Sequence, residues 1–309
     1  MALCLVLGGA GFIGSHLAEA LLQAGHRVRV FDRPHVDRLS WFSPSRGFET
    51  FTGDFLNPQA LATALRGAEV VFHLVSTTLP KTSNDNPLYD VETNVLGTLR
   101  LLELCRDHEV RRIVFVSSGG TVYGRPRSIP IEESHPTQPA CSYGIHKLMV
   151  EKYLDLTRML YGLDYCVLRP SNVYGPGQRL DIAQGAVGVF LHHALQDTPI
   201  EIWGDGSVVR DYLYVTDAVA ALLKAMTFEG EQKIFNIGSG VGVSLNDLIG
   251  YIEGLVGHRV KVEHKAARSL DVPVNVLDCS LARRHLGWSA STPLALGLLH
   301  TYEWMRSAV

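Results

Sequence analysis

The chain predicts an α/β fold, a doubly wound parallel sheet followed by a smaller C-terminal α/β lobe. Two observations carry that prediction. Short, almost continuously apolar runs of strand length alternate with longer amphipathic stretches through the first half, the texture of strands buried on both faces. After Arg169 the texture changes, and Pro170, Gly175, Pro176, Gly177, Gly204 and Gly206 mark loops. With 309 residues, one large α/β unit or two domains are the options.

The elements follow in order. Leu3–Leu7, Arg27–Phe31, Val70–Leu74, Ile113–Val116 and Tyr165–Leu168 read as strands. Between them Ile13–Ala24, Pro58–Leu65, Val91–Asp107 and Ser142–Met159 read as helices. Repeated β-then-α order implies right-handed crossovers and a parallel sheet. Further on come a short helix at Val187–Gln196 and a strand-loop-helix unit from Phe235–Ile237 through Gly238–Gly240 to Leu245–Leu255. Ala282–Leu286 and Leu294–Trp304 close the chain as helical segments. The expected division is residues 1–169, with a returning segment near 208–230, and residues 170–309 as the smaller lobe over the carboxyl edge of the sheet. The segments around Thr93–Cys105 and Tyr143–Tyr153 carry more apolar residues than one sheet face needs.

Composition narrows the function classes. Apolar residues make up 46% and charged residues 19%, ample for a core and too few charges for a disordered chain. The net charge is −3, from 28 basic and 31 acidic residues with no long run of either sign, which argues against a nucleic-acid footprint and a polybasic membrane anchor. Met1–Gly14 is apolar but has no basic n-region, and no stretch reaches the roughly 18 apolar residues that span a bilayer. The five cysteines are scattered without a CxxC pair, so the expectation is a reducing, cytoplasmic setting without a disulfide framework. His73 reads as a core histidine, and the other histidines, His192 and His193 included, show no metal spacing; no metal site is expected.

Leu3–Leu7 runs into Gly8-Gly9-Ala10-Gly11-Phe12-Ile13-Gly14, which opens a helix. Glycines at 8, 11 and 14 permit a tight turn, close backbone approach to a pyrophosphate and close packing of helix on strand. The helix N-terminus then offers free N–H groups to phosphate. Asp32 ends the next strand, where a carboxylate accepts ribose hydroxyls and repels a 2′-phosphate, favouring NAD over NADP. The sheet is therefore expected to be of Rossmann type. A second motif, Tyr143-Gly144-Ile145-His146-Lys147, puts Tyr143 and Lys147 on one helical face. A phenol is a poor base at neutral pH unless a nearby cation stabilises its anion, which Lys147 would do.

These motifs stand in one order with others: Gly53-Asp54, Phe72-His73-Leu74, Asn94-Val95-Leu96-Gly97-Thr98, Ser117-Ser118, Val122-Tyr123-Gly124, Leu168-Arg169-Pro170, Asn172 through Gly177, and Arg210-Asp211-Tyr212. Along essentially its whole length the chain resembles the extended short-chain dehydrogenase/reductase family, in its sugar-nucleotide epimerase/dehydratase branch. The resemblance implies a retained NAD, a nucleotide-diphosphate sugar as substrate and a homodimer joined through a four-helix bundle. It implies cofactor contacts from Gly8, Gly11, Phe12, Ile13, Gly14, Asp32, Asp54 (to the adenine), Phe55, Asn94 and Lys147. Asn172, Arg210 and Arg268 would hold the substrate, the two arginines at its diphosphate, and Tyr143 with Lys147 would be catalytic.

One departure bears on the chemistry. Where the family completes a Ser-Tyr-Lys set, this chain has Gly119, so Ser118, Thr121 or a water must hold the substrate hydroxyl. The expected reaction is UDP-sugar 4-epimerisation through a 4-keto intermediate. A 4,6-dehydratase needs Asp/Glu immediately before Val122-Tyr123-Gly124, where Gly120 and Thr121 stand. A catalytically silent NAD-binding regulator is the alternative of another class, against which the intact Tyr143/Lys147 pair speaks. By alignment of Pro273-Val274-Asn275, Asn275 would line the pocket beside the sugar C2 substituent. A bulky Tyr there goes with plain hexoses and a small residue with N-acetylated ones, so the expected substrates include UDP-N-acetylglucosamine and UDP-N-acetylgalactosamine as well as UDP-glucose and UDP-galactose.

Overall fold

The computed structural model describes residues 1–34, 47–80, 82–179, 185–267 and 272–308. The first half runs β1 (Leu3–Leu7), α1 (Phe12–Gln23), β2 (Arg27–Asp32), β3 (Phe48–Thr52), α2 (Pro58–Leu65), β4 (Val70–His73), α3 (Pro87–Asp90), a π-helical turn (Val91–Leu96), α4 (Gly97–Asp107), β5 (Arg112–Val116), α5 (Ser142–Tyr161) and β6 (Asp164–Pro170). Then come β7 (Asn172–Tyr174), α6 (Ala186–Leu195), β8 (Ile200–Trp203), β9 (Val209–Tyr214), α7 (Val215–Thr227) and β10 (Ile234–Ile237). The chain closes with β11 (Gly242–Ser244), α8 (Leu245–Val256), β12 (Val262–Lys265), β13 (Val274–Asn275), a second π-helical turn (Ala282–Leu286) and α9 (Leu294–Ala308).

Seven strands form one parallel sheet in the order β10-β6-β5-β4-β1-β2-β3. The doubly wound sheet is thus as expected. Every residue of β1 and β4 is buried, because helices cover both faces. Leu17 and Leu21 of α1 pack with Leu222 of α7 on one face, and Leu61 of α2, Leu101 of α4 and Leu154 of α5 on the other. The strand order reverses at β1, which pairs with β2 on one side and β4 on the other. The crevice beyond the carboxyl ends of β1 and β4 is where such sheets take ligands.

The remaining strands are small. β9 pairs with β7, β11 and β13, and β8 pairs with β12. Phe190 and Leu191 of α6, Leu248 and Ile252 of α8 and Leu298 of α9 close over Ile200 of β8 and Tyr212 and Tyr214 of β9 in a third core.

Where one helix was expected over Val91–Asp107, the structure has the π turn between α3 and α4. Asn94 Nδ2 lies 3.0 Å from the Asp90 carbonyl, within hydrogen-bonding distance of an oxygen that an α-helix would offer to the Asn94 backbone N–H. The ladder adjusts around that contact, and such bulges recur at functional sites.

Candidate active site

The first wall is the glycine turn after β1. Gly8 sits at φ +79°, and its N–H donates to Phe31 O at 2.9 Å, stitching the turn to β2. A Cβ on Gly14 would stand 2.2 Å from Gly8 O, so only glycine lets α1 pack this close. A Cβ on Gly11 would meet only Gly8 O, at 3.1 Å, and would otherwise extend over the open mouth of the helix. Phe12 and Ile13 form the first turn of α1 and are half-buried. Asp32 accepts the Ala10 N–H at 3.0 Å and the Arg33 N–H at 2.8 Å, which fixes its carboxylate against the turn. An uncapped helix mouth, a glycine-rich turn and an adjoining carboxylate fit a dinucleotide's pyrophosphate and ribose. Asp54 is exposed, its carboxylate accepting the Leu56 N–H at 2.8 Å, while Phe55 is buried with its ring stacked 5.3 Å from that of His73. His73 is a core residue, as expected: Nε2 meets Thr98 Oγ1 at 2.9 Å, and burial holds the ring neutral, its pKa pushed down to about 3.

Tyr143 and Lys147 lie in the first turns of α5. Lys147 is 2% exposed; its Nζ donates to Val116 O at 3.0 Å and stands 5.4 Å from the centre of the Tyr143 ring. Burial pushes its pKa down to about 8, against the opposing pull of the Asp90 and Glu151 carboxylates. Burial also pushes the Tyr143 phenol up to about 12, with a hydrogen bond to Ser76 working the other way. The geometry brings a buried cation to a half-buried phenol.

The Gly119 departure has a physical cause. A Cβ there would lie 2.6 Å from Leu277 Cδ1 and 2.9 Å from Arg169 O, so the backbone is pressed flat against the β6 end. Both neighbouring hydroxyls remain available. Thr121 Oγ1 is buried without a hydrogen-bond partner, and Ser118 Oγ borders the space beside Gly120, where an added Cβ would meet nothing nearer than that oxygen at 3.9 Å. Asn275, 2% exposed, donates its amide to Gly119 O at 3.2 Å, and its Oδ1 is unpartnered. Strand pairing sets Asn275 beside Arg210, whose guanidinium donates to Val209 O at 2.9 Å and Val272 O at 2.7 Å. Asn172 ties β7 to β9 through Asp211 O at 3.0 Å. Arg268 lies outside the described residues.

Asn94 is buried within a polar cluster rather than standing alone. Its Oδ1 accepts the Thr77 N–H at 3.0 Å, and its Nδ2 lies 3.1 Å from the Asp90 carboxylate. Asp90 and His146 were not singled out in the sequence, although His146 sits inside the Tyr-Lys motif. No signal there marks a pair whose members are 56 positions apart. Asp211, which the sequence marks only through its motif, is fully buried and takes donors from Ser171, Ser239, Gly240 and Leu277, pinning the loops around β9. Among the described residues no group of acidic, histidine or cysteine side chains is placed to hold a metal ion.

A family model, the NAD dependent epimerase/dehydratase family, matches residues 4–238. The chain is 38% identical to a UDP-glucose 4-epimerase of Mycolicibacterium smegmatis, with 98% of each chain covered. It superimposes on the UDP-glucose 4-epimerase of Thermotoga maritima, solved with UDP-glucose, at a TM-score of 0.94 and 35% identity, over 99% of both chains. The UDP-N-acetylglucosamine 4-epimerase of Methanobrevibacter ruminantium M1, solved with UDP-N-acetylmuramic acid, gives a TM-score of 0.93 at 26% identity, over 100% of this chain and 99% of that one.

Proposed function

Since the chain belongs to the NAD dependent epimerase/dehydratase family and is an NAD-dependent nucleotide-sugar 4-epimerase, we propose that it interconverts UDP-N-acetylglucosamine with UDP-N-acetylgalactosamine, and UDP-glucose with UDP-galactose. The observation that carries the wider substrate range is Asn275. It is small, buried, and keeps an unpartnered acceptor, Oδ1, to which an acetamido N–H donates. The likeness to both kinds of 4-epimerase supports the same reading.

Tyr143 takes the proton of the sugar 4-hydroxyl as the sugar passes to its 4-keto form, and returns it after the ketone has turned over. Lys147 holds the phenolate through its charge and, by resemblance, the nicotinamide ribose. Thr121 or Ser118 supplies the hydroxyl missing at Gly119. Bound NAD supplies the hydride acceptor at the sugar C4, with no net redox change. Asp32 takes the adenosine ribose, Asp54 the adenine beside Phe55, and Gly8, Gly11, Phe12, Ile13 and Gly14 the pyrophosphate; Asn94 lines the cofactor side. Asn172 and Arg210, with Arg268, take the substrate diphosphate. Residues 1–169, with the returning segment near 208–230, hold the cofactor, and the rest of 170–309 mainly the sugar nucleotide.

A homodimer completes the reading. Leu88, Leu96, Ile145, Leu156 and Met159 expose an apolar face on the π-turn region and α5, the helices expected in a four-helix bundle. Five free cysteines suit a reducing cytoplasm.

Purified protein assayed with all four UDP-sugars tests the substrate range. Turnover of both pairs is expected, and Asn275→Tyr should abolish the N-acetylated pair by overpacking while sparing the plain hexoses. Wild-type turnover of plain hexoses alone, or equal loss of both pairs in the variant, would contradict the assignment.

A further inference from the structure

Asp90 is a fully buried carboxylate that, among the described residues, has no lysine or arginine as a hydrogen-bond partner. Such a group is costly unless donors surround it. Here they come from three segments. Ser142 Oγ donates at 2.6 Å and His146 Nδ1 approaches its two oxygens at 2.9 and 3.0 Å, both from α5. Thr78 donates from the loop after β4, and Asn94 Nδ2 lies 3.1 Å away in the π turn that follows Asp90 directly. Ser142 and His146 are one helical turn apart, on the same side of α5, and they bracket Tyr143.

We propose that Asp90 and His146 form a positioning dyad, which clamps the first turn of α5 onto the π turn and thereby sets the attitude of Tyr143 and Lys147 toward the wall that carries Asn94. The inference rests on Tyr143 and Lys147 being the catalytic pair. His146 is 2% exposed, and its ring meets that of Tyr143 edge-on, 4.9 Å between centres. An ionised Asp90 accepts, so Nδ1 carries the proton and Nε2 is left a bare acceptor without a partner. Burial and the Lys147 charge keep the imidazole neutral, its pKa pushed down to about 4, so the dyad keeps the carboxylate's negative charge beside Lys147. For Asp90, burial pushes its pKa up, but the Ser142, Thr78 and His146 hydrogen bonds outweigh it and hold the group ionised. Loss of the clamp frees the helix turn on which both catalytic groups ride, and a displacement of about 1 Å there is worth about 10²-fold in rate.

The test uses the full-length enzyme with its bound NAD and UDP-galactose as substrate, with Tyr143→Phe assayed alongside. His146→Leu removes the donor to Asp90. Its kcat should fall by about tenfold to 10²-fold while KM for UDP-galactose stays within about twofold. His146→Asn places an amide N–H where Nδ1 stood and should return kcat to within about threefold of wild type. Asp90→Asn, close in shape, should lower kcat by about tenfold or more at unchanged KM, and it decides the matter if His146→Leu does not fold. Wild-type kcat in His146→Leu, a loss that Asn does not restore, or KM rising in step with the fall in kcat would overturn the dyad. Wild-type kcat in Tyr143→Phe would instead overturn the catalytic assignment on which it rests.

Discussion

Tyr143 is under two opposing pressures. Burial lifts its pKa to about 12, and Lys147, 5.4 Å from the ring centre, is the cation that can draw it back. Tyr143→Phe removes the proposed proton acceptor and should lower kcat by about 10² to 10⁴-fold, with binding of the UDP-sugar largely kept, as inhibition by UDP would report. The sign of the pH dependence follows from Lys147, whose pKa burial brings down to about 8. Below that pH the ammonium is present and supports the phenolate. Above it the charge is lost while the phenol remains protonated, so kcat/KM should fall on the alkaline side with an apparent pKa near that of Lys147. A profile flat through pH 9, about one unit past it, would contradict this. Tyr143, Lys147 and the glycines were legible in the sequence because local backbone and helix geometry write them as contiguous spacings. Asp90 and His146 were not, because their meeting depends on how α5 packs on the π turn. Gly119 was legible as a gap, whereas its cause, contact with Leu277 and the Arg169 carbonyl, is a property of packing alone.

Between elements, the sheet is tied to α5 by an ion pair inside the protein. Arg169 of β6 donates to Glu151 of α5 at 3.0 and 2.5 Å and to Tyr123 Oη at 2.8 Å, and both charged side chains are nearly inaccessible. Ser117 Oγ donates to the same carboxylate at 2.5 Å. Arg169→Met would strand the Glu151 charge and should cost about 3–5 kcal/mol of stability in urea unfolding, most of it recovered when Glu151→Leu is added. A single variant as stable as wild type would show that the pair contributes little. The strands flanking this tie, β5 and β6, were legible because burial on both faces makes them continuous apolar runs. β3 was not: it is an edge strand carrying Glu49 and partly exposed, so its pattern is weak. β8 alternates buried and exposed residues over only four positions, and β11 and β13 are shorter still. These strands form through partners distant in sequence, as Asn275 does with Arg210, and no local period announces them.

At the scale of the whole molecule the unanswered surface is the one on α5. Ile145, Leu156, Met159 and Leu160 are exposed, at 47%, 41%, 69% and 61%, and Leu88 is 76% exposed on α3, which packs beside α5. Isolated apolar residues on a surface require no partner, but these recur at helical spacing along one side of a single helix. We propose that this face pairs with its own copy about a two-fold axis in a four-helix bundle. Sedimentation of the wild type should therefore report twice the 34.0 kDa of one chain. Leu156→Glu with Met159→Glu places two carboxylates against their own images in the partner, where desolvation and like-charge repulsion both oppose association. The double variant should sediment as a monomer while its near-UV circular dichroism stays that of the wild type, because neither side chain enters the core on the inner face of α5. A wild type that is already monomeric would overturn the dimer, and a variant that remains dimeric would place the interface elsewhere.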